Sequence, residues 1–101
     1  MLKKQKNFQV LDELYSIVSS RKTKFKKSSY TSQLFKKGNK HIARKVLEES
    51  SELAIDFLKG SKKRTIEEVS DLLYHIIVLL RAKGISPKDV AKELRSRFKY
   101  D

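Results

Sequence analysis

The sequence predicts an all-α chain of four to five helices that pairs with a second copy into an intertwined helical bundle. Three observations carry that prediction. Apolar residues recur at three- and four-residue spacing, and no run alternates as a strand would. Two glycines, Gly60 and Gly84, and the start signal Ser86-Pro87 cut the chain into rods. Finally, "LLYHIIVLL" (72–80) is apolar around nearly its whole circumference, more than one neighbouring face in so small a chain can cover.

Taken in order, Val10, Leu11, Leu14, Ile17 and Val18 predict a first helix over about 8–20, preceded by a flexible basic tail at 1–7. Residues 19–40, "SSRKTKFKKSSYTSQLFKKGNK", hold eight Lys/Arg and no acid, and read as a long loop. Loops of that length in a compact domain are either functional or disordered. Ile42, Val46, Leu53 and Phe57 mark the second helix, stopped by Gly60. A third starts at Ser61 or Thr65 and runs to about Lys83, where Gly84 ends it. A fourth starts after Ser86, with Pro87 in the first turn, where its missing N–H costs nothing.

At 101 residues, residues 1–101 form one domain with a single modest core. Only 39% of residues are apolar and 36% are charged, so self-association would add needed burial. The chain has no cysteine, which excludes disulfides, thiolate metal sites and cysteine nucleophiles. Asp12 and Glu13 interrupt the first apolar stretch, against a signal or transit peptide. The longest apolar run has nine residues, too short to span a bilayer. A cytoplasmic protein with no membrane partner is expected.

The formal charge is +12, and it is unevenly spread. Residues 1–46 carry 13 Lys/Arg and 2 acids; residues 47–101 carry 11 and 10. Such a cationic half attracts phosphates on a nucleic acid, a membrane or a metabolite.

Against that background, "EESSE" at 48–52 stands out. Glu48 and Glu52 lie one helical turn apart and repel by ~0.2–0.5 kcal/mol unless a positive charge compensates. On a helical wheel, Ile42, Val46, Leu47, Leu53, Ala54, Phe57 and Leu58 fill one side. Glu48, Glu49, Glu52 and Asp56 share an arc on the other, with Lys45 among them. Glu49 and Glu52 are three apart, as are Glu68 and Asp71 on the next helix. Two such pairs can surround one hard cation such as Mg²⁺ or Mn²⁺ with oxygen ligands. The alternatives are plain: acids on an exposed face are commonly just solvated, and Glu68 could close a capping box with Thr65. Asp71 is harder to dismiss, since it directly precedes the apolar run.

No Gly-rich phosphate loop, HExxH or cysteine cluster is present. His41 and His75 stand alone; His75, four residues after Asp71, reads as a hydrogen-bonded structural residue able to support that aspartate.

"SYTSQLFKKG" (29–38), "KVLEESSEL" (45–53) and "EVSDLLYHIIVLL" (68–80) resemble the phosphoribosyl-ATP pyrophosphohydrolase family of histidine biosynthesis. That family lies within the all-α, MazG-like nucleoside triphosphate pyrophosphohydrolases, whose EExxE…ExxD signature falls here on Glu48, Glu49, Glu52, Glu68 and Asp71. The likeness runs from about Leu14 to Phe98. Two positions depart from the pattern: Leu47 stands where glycine is frequent, and Ser70 where alanine is. The resemblance implies Mg²⁺-dependent hydrolysis of 1-(5-phosphoribosyl)-ATP to 1-(5-phosphoribosyl)-AMP and pyrophosphate. On that basis we assign metal binding to Glu49, Glu52, Glu68 and Asp71, with Glu48 as general base or as ligand of a second ion. Ser29, Tyr30, Thr31 and Lys37 would line the substrate, and Lys45 would touch a phosphate or simply pair within its helix.

Two rival readings share parts of this pattern. A general nucleotide pyrophosphohydrolase would keep the metal site and differ in its specificity segment. A nucleic-acid-binding helical protein would use the lysines interleaved with Phe25, Tyr30 and Phe35 to hold phosphates and stack bases. The acidic cluster would repel such a backbone, so a nucleic-acid partner is not expected.

Overall fold

Three glycines and three capping serines set the breaks between five helices. The computed structural model describes residues 2–98, with side chains from Phe8 onward. The helices are α1 (Leu2–Thr23), α2 (Tyr30–Lys37), α3 (Asn39–Lys59), α4 (Lys62–Lys83) and α5 (Pro87–Ser96). No strand occurs among the described residues. The helix α1 thus begins well before the expected residue 8; of the segment expected to form a tail, Met1 and the side chains of 2–7 lie outside the described set.

The segment expected to be one long loop is largely helical. The reason is local. Ser29 caps α2, its Oγ accepting the Ser32 N–H at 3.0 Å, which satisfies a donor that the first turn would otherwise leave open. Gly38 alone separates α2 from α3. Its φ of +98° with an extended ψ is a conformation open essentially only to glycine. There its N–H donates to Leu34 O at 3.2 Å, and its own carbonyl accepts the first bond of α3 from Ile42 at 3.1 Å.

The start of α4 is Ser61, whose Oγ accepts from Arg64 N at 3.1 Å. Thr65 lies a full turn inside and donates to the Ser61 carbonyl, so the Thr65–Glu68 capping box does not form. Glu68 is thereby free for another task. Gly84 sits in the left-handed region (φ +77°) and closes a Schellman motif: Ile85 N–H donates to Leu80 O at 2.8 Å and Gly84 N–H to Arg81 O at 3.1 Å. Ser86 and Asp89 form the expected capping box of α5, with Pro87 in its first turn.

The core lies at one end of the bundle. Val18 of α1, Leu34 of α2, Ile42 of α3, and Ile77 and Val78 of α4 form its buried centre, with Leu14, Tyr15, Phe35, Tyr74, Leu79, Leu80 and Ala82 around it. Within the apolar run of α4, His75, Ile77 and Val78 are buried, Leu72, Tyr74, Ile76, Leu79 and Leu80 are half-buried, and Leu73 is exposed.

The α3–α4 contact is the most extensive of the fold. The inward face of α3 straddles the boundary of the expected wheel: Ile42 with half-buried Val46 and Leu53 comes from the apolar side, and Glu49 with half-buried Asp56 from the acidic side. Ile42 and Glu49 are the buried residues of α3, whereas Leu47, Phe57 and Leu58, expected to face the core, are exposed. Exposed Ile66, Val69 and Leu73 of α4 add to the apolar surface.

Truncating Leu34 removes the contribution of α2 to the core. We expect Leu34→Ala to lower unfolding free energy by about 2–5 kcal/mol in chemical denaturation; a change under ~1 kcal/mol would mean that α2 is not part of the cooperative core.

Candidate metal centre

Glu68 and Asp71 are three residues apart on α4, so both reach the same face; α3 brings Glu49 opposite them. One carboxylate oxygen from each of Glu49, Glu68 and Asp71 lies within 4.8 Å of the others. Glu49 is only 8% exposed and Glu68 only 3%. Three carboxylates so close repel one another, and the two buried ones also lose hydration while Asp71 stays exposed, a costly arrangement unless positive charge joins them.

Glu68 shows how incompletely the chain supplies that charge. Its Oε2 accepts from Arg64 Nη2 at 2.8 Å, while its Oε1 is buried with no hydrogen-bond partner. Burial pushes the Glu68 carboxyl above the usual carboxylate range; the negative charges of Glu52, Asp56 and Asp71 push the same way, and Arg64 opposes them. A buried, partnerless oxygen on a residue grouped with two further carboxylates, with neither sulfur nor imidazole in the set, fits a hard divalent cation.

Of the four expected ligands, Glu49, Glu68 and Asp71 converge. Glu52 is exposed and outside that group, although its charge is felt at Glu68. Glu48 stands half-exposed at the edge and accepts from Lys45 Nζ at 3.1 Å; the same ammonium lies 3.9 Å from Glu49. The bond to Glu48 holds the Lys45 pKa above its ordinary value. Lys45 is therefore the positive partner that the "EESSE" cluster called for.

The α2 residues expected to meet substrate are tied to α4. Tyr30 Oη lies 3.1 Å from His75 Nε2, and Thr31 Oγ1 is bonded to Tyr74 Oη. Burial raises the pKa of Tyr74, and the bond to Thr31 opposes that shift. On the other side of the imidazole, Nδ1 is 2.8 Å from the Asp71 carbonyl oxygen. A carbonyl can only accept, so Nδ1 carries the proton, Nε2 is the acceptor, and Tyr30 donates to it. His75 is thus the hydrogen-bonded support expected of it, linking Tyr30 to the backbone of Asp71. Ser29 is occupied as the α2 cap, and Lys37 is exposed in the last turn of α2.

Sequence reasoning passed over Arg64. Its guanidinium reaches Glu67 Oε1 at 2.9 Å, Glu68 Oε2 at 2.8 Å and Asp56 Oδ2 at 3.4 Å, joining α3 to α4 beside the acidic group. The available signal was its position four residues before Glu68.

The raised Glu68 pKa has a defined consequence for the metal-free protein. Ionising Glu68 costs the folded state, so its contribution to stability falls as pH rises from the ordinary carboxylate pKa through the raised value. In EDTA, Glu68→Gln should therefore raise the melting temperature at neutral pH, and the gain should vanish as pH drops below the ordinary carboxylate range. An equal gain at all pH values would contradict this.

Residues 11–98 match the family described as phosphoribosyl-ATP pyrophosphohydrolase. Several similar proteins are named phosphoribosyl-ATP pyrophosphatase. That of Sulfolobus acidocaldarius is 48% identical over 90 residues, covering 89% of this chain and 95% of the relative. The Sulfurisphaera tokodaii protein is 47% identical, covering 89% and 96%. The Saccharolobus solfataricus protein is 43% identical, covering 90% and 97%. With the acidic motif and the α2 segment inside the matched region, the chain belongs to the phosphoribosyl-ATP pyrophosphohydrolase family.

Proposed function

We propose that this chain hydrolyses 1-(5-phosphoribosyl)-ATP to 1-(5-phosphoribosyl)-AMP and pyrophosphate, in the cytoplasm, as a Mg²⁺-dependent step of histidine biosynthesis. The single observation that carries the metal dependence is the partnerless buried Oε1 of Glu68 beside Glu49 and Asp71. Membership of the family supports the substrate.

Glu49, Glu68 and Asp71 would hold the ion, with Glu52 joining from the adjacent turn of α3; Mn²⁺ would substitute. Once bound, the ion supplies neutralisation of phosphate charge and a more acidic water. The protein's own groups do the rest. Glu48, on the solvent side of the cluster, accepts the proton of the water that adds across the P–O–P linkage. Lys45, between Glu48 and Glu49, can pass one of its donors to a phosphate oxygen. Tyr30 and Thr31, with Ser29 and Lys37 at either end of α2, line the substrate side. The strongly basic first half of the chain draws the polyanion in.

The exposed apolar stripe of Leu47, Phe57, Leu58, Ile66, Val69 and Leu73 supports a homodimer. These residues lie on α3 and α4 together, and a two-fold contact would bury both stripes at once.

Two measurements test this reading. Pyrophosphate release from phosphoribosyl-ATP should exceed that from a panel of ordinary nucleoside triphosphates, stop in EDTA and return with Mg²⁺. Glu49→Gln and Glu52→Gln should each lower turnover roughly 100-fold or more with helicity unchanged; wild-type rates in either variant would sink the ligand assignment. Separately, sedimentation should give a dimer for the native chain and a monomer for Phe57→Glu/Leu58→Glu, and a native monomer would refute the pairing.

A further inference from the structure

Arg64 is the third residue of α4, in the turn where the positive end of the helix dipole disfavours a cation. It is held there by three carboxylates: Glu67, Glu68 and Asp56. Of these, Glu68 is the unusual one, since it is almost wholly buried and belongs to the group that fits a metal. The Arg64 side chain itself is 54% exposed, so its remaining donors are open to a ligand arriving from solvent.

These contacts put a fixed positive charge against a carboxylate that also has an orphaned oxygen. A divalent cation taking that oxygen would sit close to the guanidinium and be repelled by it. A cation that arrives with phosphates attached presents the opposite balance: its phosphate oxygens are acceptors, and the planar guanidinium fork matches them in pairs. Resting on the proposed metal-dependent reading of this site, we propose that Arg64 makes the acidic centre discriminate between a bare cation and a cation–polyphosphate complex: it weakens the first by its ion pair with Glu68 and strengthens the second by giving a donor edge to a phosphate oxygen. Asp56 and Glu67 keep the side chain in place while that partner is exchanged. Arg64 is then a specificity-determining residue that couples the binding of metal and polyphosphate.

The test compares wild type, Arg64→Gln and Arg64→Lys in two titrations at one ionic strength: Mn²⁺ alone, followed by the electron paramagnetic resonance of the free ion, and preformed Mg²⁺–pyrophosphate, followed by calorimetry. Arg64→Gln should bind bare Mn²⁺ about fivefold or more tightly, and Mg²⁺–pyrophosphate about fivefold or more weakly, than wild type. Arg64→Lys should keep the low affinity for Mn²⁺ but recover only part of the pyrophosphate binding. A merely structural arginine would weaken both when replaced; if the two affinities move together, or bare Mn²⁺ binding stays put, the proposal is overturned. Should wild type bind both probes in this pattern yet release no pyrophosphate from phosphoribosyl-ATP, the activity falls while the role of Arg64 stands. Absence of any Mn²⁺ binding would remove the metal reading and this role with it.

Discussion

Two helices packed through their acidic residues cannot stay together without positive charge between them. In this chain α3 turns Glu49 toward α4, and α4 answers with Glu68 and Asp71. Hydrophobic burial holds the far end of the bundle, around Val18, Leu34, Ile42, Ile77 and Val78. Near the acids there is no such core. Lys45 on one flank and Arg64 on the other offset part of the repulsion, each from its own helix. One buried oxygen of Glu68 still has no partner. An acidic centre that could hold a cation therefore follows from how the helices pack, and its formation spends stability that the apolar end must supply.

The orientation of α3 that buries Glu49 also exposes an apolar stripe, while Glu48 and Glu52 stay at the surface. A helix has one circumference: with Glu49 inward, Leu47 and Leu58 fall on the opposite side, and Phe57 between the two is also exposed. Site and proposed dimer surface are thus two consequences of one rotation of α3. Changing either face would disturb the other.

The α2 segment connects charge attraction to the acidic centre. It carries part of the basic half of the chain, and its first two residues bond to Tyr74 and His75 on α4. Through the imidazole, Tyr30 is coupled to the Asp71 carbonyl. A ligand engaging Tyr30 would therefore act on a helix that also carries two of the acids. This places the cationic segment and the anionic centre side by side without letting them neutralise each other.

Helix type, the helix ends at Gly60 and Gly84 and the start at Ser86 were determined by the sequence, because each depends on residues within one turn of each other. So was the convergence of Glu68 with Asp71, a matter of i, i+3 spacing on one rod. Tertiary structure decided the rest. Helix α2 has only two large apolar residues after its aromatic start, Leu34 and Phe35, too few for a period to emerge; it holds because Ser29 caps it and Leu34 finds a core. The wheel for residues 42–58 separated an apolar from an acidic side, but the surface that turns inward is the boundary between them, with Ile42 from one and Glu49 from the other, and that depends on what α4 presents. Arg64 likewise showed only an ordinary helical spacing to Glu68. Its third partner, Asp56, comes from another helix, and no local pattern in a chain encodes a meeting of that kind.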